Sequence, residues 1–118
     1  MMDVMETVGV SVATIDGLDA AERLVTDRTI LKVDTQGFDH AVLLGATNAL
    51  RRIAGVIFEV PVIAIYEGVR HYADTFQLLE RAGFGLYALS PIAREHGAMC
   101  VMEADAIWLR RHDGNPIP

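Results

Sequence analysis

The run ILKVDTQGFDHAVLLGA, Ile30 to Ala46, decides how this chain is read. It opens with a short apolar stretch, Ile30, Leu31 and Val33, that ends in an acid, Asp34. Gly37 breaks the run, and Phe38, Ala41, Val42, Leu43 and Leu44 then recur at helical spacing. A buried parallel strand that carries a carboxylate at its carboxyl end and turns into a crossover helix has this pattern. Open α/β sheets keep their ligands beyond the carboxyl ends of the strands, so Asp34 is the first candidate site residue.

Outward from that run the alternation continues. Val56 to Val60, VIFEV, reads as a second fully buried strand that delivers Glu59 near its end, and Pro61 stops its ladder. Between the two strands, Asp39 to Ile53 reads as one helix interrupted near Gly45, a residue that marks a bend or a close packing contact, with Gly55 closing it. Upstream, Val8, Val10 and Val12 alternate as in a short edge strand, and Asp16 precedes a helical pattern from Gly17 to Val25 that it is placed to cap. Downstream, His71 to Gly83 is an amphipathic helix burying Phe76, Leu78, Leu79 and Ala82. Strands follow at Phe84 to Leu89 and Ala104 to Leu109, joined by a long connection from Ser90 to Met102. The reading divides the chain into residues 1–28, a strand and helix segment; 29–110, an α/β body; and 111–118, a polar tail expected to fray. The order predicts an α/β sheet, mostly parallel, whose last connection lacks a helix and so leaves an antiparallel C-terminal strand.

Composition narrows the function classes. At 118 residues and 52% apolar content the chain is large enough to bury its own core. Net charge is −6 and Lys32 is the only lysine, so the basic face that nucleic acid requires is missing. A single cysteine, Cys100, forbids an internal disulfide and a thiolate zinc cluster. No apolar stretch reaches the ~20 residues of a membrane span and no signal peptide is visible, so a cytoplasmic location is expected.

The blocks Leu31-Lys32-Val33-Asp34-Thr35-Gln36-Gly37-Phe38 and Val42-Leu43-Leu44-Gly45-Ala46 resemble the signature of FkbM-type S-adenosylmethionine-dependent methyltransferases. Leu44 stands where that family usually has lysine. Thr14-Ile15-Asp16, Val56 to Val60, and Gly83-Phe84-Gly85-Leu86-Tyr87 extend the likeness from about Val12 to Arg110, in the family's order. The resemblance implies a partial Rossmann-like sheet, strands four to seven of seven, with the last strand antiparallel between its two predecessors. It also implies S-adenosylmethionine as cofactor and methyl transfer to a hydroxyl of a sugar, glycolipid or polyketide-like acceptor. A glycine-rich turn after a first strand normally holds that cofactor, and none precedes Thr29. The chain alone is therefore expected to bind the cofactor weakly or not at all, and a truncated non-catalytic remnant or small interaction module is the alternative. The edge left by missing strands invites a homodimer, unless Val8 to Thr14 covers it.

Methyl transfer to oxygen needs alignment and gains from a general base. Asp34 and Glu59 are expected at one rim, ~5 Å or a small multiple apart. His71, after the loop with Tyr66 and Glu67, is the third candidate for catalysis. Asp16, Asp34, Gln36 and Gly37 are the candidates for cofactor contact, and no metal site is expected, because adjacent helical residues such as Asp39 and His40 diverge.

Overall fold

A computed structural model describes residues 5–35, 37–61, 72–94, 101–112 and 115–116. Strand β1 (Ile30–Val33) forms where the apolar run stands, and the chain reverses through Gly37, whose φ of 105° suits a residue without a Cβ. The backbone N–H of Thr35 donates to the Asp39 carboxylate at 3.0 Å and its hydroxyl donates to the same oxygen, so Asp39 ties the turn to the first residue of its own helix.

The expected helix from Asp39 to Ile53 is two pieces: α2 (Asp39–Leu44) and a 3-10 turn (Ala49–Arg51). Gly45 ends α2, and a Cβ there would lie 3.2 Å from Thr14, so it is both the break and a close contact. Gly55 is no helix terminator. It opens β2 (Gly55–Pro61), wedged between β1 and a later strand, and a Cβ on it would lie 2.8 Å from the Trp108 carbonyl oxygen.

The sheet is mixed. β2 pairs parallel with β1, with Val33 opposite Phe58. Strand β4 (Val101–His112) runs antiparallel between β2 and β3 (Phe84–Arg94), giving the order β1-β2-β4-β3. Only one of these three pairings is parallel, although β1, β2 and β3 share a direction. Both late strands outrun their expected lengths. β3 passes through Pro91 with irregular register on either side, which an edge strand tolerates because proline removes no shared ladder bond there. Residues 111 and 112 also pair, with the two-residue β5 (Asn115–Pro116), so this part of the expected tail is held to the sheet.

Helices cover one face of the sheet. Val33, Val56, Phe58, Val60, Ala106 and Trp108 point to that face and pack against Leu43, Leu50, Ile53 and, from α3 (Tyr72–Arg81), Leu79. Phe76 of α3 meets Trp108 edge to face at 4.9 Å between ring centres, and Phe58 at 6.4 Å. Each large side chain buried here contributes ~1.5–3 kcal/mol. Arg110 closes the end of this layer: it donates to the carbonyls of Ile53 (2.7 Å), Ala82 (3.1 Å) and Leu50, and its guanidinium lies over the Phe84 ring.

Helix α1 (Ile15–Glu22) is capped by Thr14, whose hydroxyl accepts from Gly17 N, and not by Asp16. Asp16 sits in the first turn, and its carboxylate accepts from the backbone of Asn48 and Ala49, both at 2.9 Å. It thus caps the 3-10 turn from outside. Residues 5–14 form no strand: they are exposed and lack regular structure, because no neighbouring strand in the chain pairs with them.

Candidate functional site

The helix-free face of the sheet is organised in rows, because paired residues in adjacent strands point the same way. The first row is Ile30, Gly55, Leu109 and Gly85; the second is Lys32, Ile57, Ile107 and Ala88. One step further, Glu59 stands opposite Asp105, and Asp34 follows the Val33–Phe58 pair. The third row is therefore acidic. It lies at the carboxyl ends of β1 and β2, where the sequence places Asp34 and Glu59, with strands about 4.8 Å apart.

A shallow groove of about 200 Å³ runs along this rim, lined by Lys32, Asp34, Ile57, Phe58, Glu59 and Asp105 among others. Its electrostatics are dominated by like charge. The Glu59 carboxyl is pushed up to about 7, first by its hydrogen bond with the Glu103 carboxyl, then by partial burial, then by the negative charges of Glu103, Asp34 and Asp105. Carboxyl groups this close hold one proton between them at a pH where an isolated glutamate has lost its own.

The structure brings Asp34 and Glu59 together and adds two acids that the sequence reading passed over. Glu103 and Asp105 alternate with buried Ala104, Ala106 and Trp108, a period-two pattern that marks them as facing away from the core. Asp16 belongs elsewhere. Its two bonds hold the turn that precedes β2, at the opposite end of that strand from Glu59. Gly37 serves the backbone reversal beside the rim. Gln36 and His71 lie outside the described residues. Among the described residues no group of three or more His, Cys, Asp and Glu side chains is placed to hold a metal ion, and no helix is long and apolar enough to cross a membrane.

The model of the methyltransferase FkbM domain matches residues 2–86, well over half of the chain. The chain belongs to the FkbM methyltransferase family. The matched span of this FkbM domain contains β1, α2, β2 and α3 and ends within β3, so Asp34 and Glu59 fall inside it and Glu103 and Asp105 beyond it. No curated protein and no solved structure matches the chain.

The family's cofactor, S-adenosylmethionine, carries a net positive charge and ribose hydroxyls. A row of carboxylates that accept hydrogen bonds fits both features. The groove, at about 200 Å³, is smaller than the ~300 Å³ at which sites enclose a whole drug-sized ligand. The rim is thus one wall of such a site, suited to the cationic end or to a hydroxyl.

Proposed function

We propose that this chain is the acceptor-side part of an S-adenosylmethionine-dependent O-methyltransferase, corresponding to strands four to seven of the family's sheet. The observation that carries this reading is the pairing of Asp34 with Glu59 at one rim, with Glu59 raised to about 7. A general base is most useful when it titrates near the working pH. Glu59 accepts the proton of an acceptor hydroxyl, and Glu103 shares that proton. Asp34 accepts a hydrogen bond from a second hydroxyl of the acceptor or from the cofactor's ammonium group. When bound, S-adenosylmethionine would supply an electrophilic methyl group. A sugar, glycolipid or polyketide-like hydroxyl suits the row, a cytoplasmic setting suits the single cysteine, and the net charge of −6 disfavours nucleic acid.

The small groove and the lack of a glycine-rich turn before Thr29 favour a second reading, a non-catalytic domain that keeps the fold. Calorimetric titration with S-adenosylhomocysteine separates the two. Heat at micromolar ligand, reduced by Asp34→Ala, supports the enzyme. Silence at millimolar ligand from a chain that melts cooperatively rejects it.

A further inference from the structure

Two features are left unused by the site. The first is the outer edge of β1. It pairs with β2 on one side, and among the described residues nothing pairs with it on the other. Its four residues, ILKV, contain one charge, Lys32, and no proline, so the usual devices that blunt an edge are sparse.

The second is the segment 5–14, METVGVSVAT. Every residue in it is exposed, with Val8, Val10 and Val12 at 69%, 78% and 92%. The three valines alternate with small neutral residues, the pattern of a strand with one apolar face. The family match begins at residue 2, so the segment lies within the matched domain. Exposing a row of β-branched side chains on an extended backbone is costly, and the cost is removed by pairing with an edge.

Its own edge is not where the segment goes. Thr14 is fixed at the start of α1 by the bond from Gly17, and Asp16 N is held by the Gly45 carbonyl at 3.0 Å, at the far end of α2 from the rim. From that anchor residues 5–13 make no backbone hydrogen bond to β1.

We propose that two copies of this chain form a symmetric dimer by strand exchange, in which residues 5–13 of each copy add to the free edge of β1 in the other. The occupant is a second copy because the same chain carries both the unpaired edge and the unpaired strand. Reciprocal exchange satisfies both edges with a single two-fold axis and leaves neither component over. Each added strand lays Val8, Val10 and Val12 beside the sheet and covers Ile30, which is 48% exposed in the single chain. The inference is independent of the catalytic reading.

Sedimentation equilibrium of the full chain over a wide concentration range tests it, together with amide hydrogen exchange at a low and a high concentration. The expected mass at high concentration is twice 12.9 kDa. Amides of residues 8–12 and of β1 gain protection there and lose it on dilution. Val10→Asp, at an exposed position free of packing, keeps the circular dichroism spectrum and weakens association at least tenfold. A monomer at every concentration overturns the proposal, as does a dimer indifferent to Val10→Asp. Protection of residues 8–12 that does not depend on concentration also overturns it, since the strand would then pair within its own chain.

Discussion

Replacing Glu59 by glutamine tests the acid row through stability alone. Moving a carboxyl from 4.5 to about 7 corresponds to about 3 kcal/mol if fully expressed. Glu59 is only partly buried, and solvent screening reduces the effect to about 1 kcal/mol. The sign follows from the direction of the shift. The folded protein holds this proton more tightly than the unfolded chain, so the contribution is full below about pH 4.5 and is lost as pH rises through about 7. Glutamine carries no charge at any pH and can still bond Glu103. Thermal melts of the two proteins should therefore coincide at pH 5 and separate with rising pH. At pH 8 Glu59→Gln should be the more stable by about 1 kcal/mol, or about 4 °C in Tm for a domain of this size. A difference that stays flat between pH 5 and pH 8, or a glutamine variant that melts lower at pH 8, refutes the like-charge account of the rim.

Three further outcomes are expected. Asp34→Ala removes an exposed acid that contributes to the repulsion on Glu59, so denaturant melts should show a change of at most about 0.5 kcal/mol, and a loss above about 1 kcal/mol would make its role structural. Arg110→Met abandons three backbone carbonyls that end the helical layer and should cost about 3 kcal/mol in urea unfolding, while Arg111→Met on the exposed neighbour should be near neutral. Gly55→Ala forces a methyl against the Trp108 carbonyl and should lower stability by about 1–3 kcal/mol without changing the pH dependence, which a melt at pH 5 and pH 8 would show.

The local elements were legible where one strand or helix carries its own periodicity. β1, β2 and α3 fall within a residue or two of the apolar patterns that predict them, and the acid after β1 and the acid in β2 meet as expected. What the sequence hid depends on partners far away along the chain. Asp16 looks like the cap of its own helix, yet its carboxylate serves a turn 32 residues later, a choice made by packing and not by spacing. Gly55 reads as a helix stop, yet the reason for glycine is a carbonyl on β4 that no local pattern reveals. The valines before Thr14 have strand chemistry but form no strand in the single chain, because pairing needs an edge within reach. Glu103 and Asp105 were overlooked because the strand holding them is longer than its apolar stretch.

The placement of β4 between β2 and β3 has a consequence for how the chain is made. Emerging from the ribosome, β1, β2 and β3 appear first, and β2 and β3 cannot join each other in this arrangement because the slot between them belongs to a piece still untranslated. The keystone is delivered late, and Trp108, one of the largest fully buried side chains, arrives with it. Nascent chains halted shortly before Val101 should thus stay open and protease-sensitive, and release of a few dozen more ångströms of polypeptide should convert them abruptly into a closed sheet.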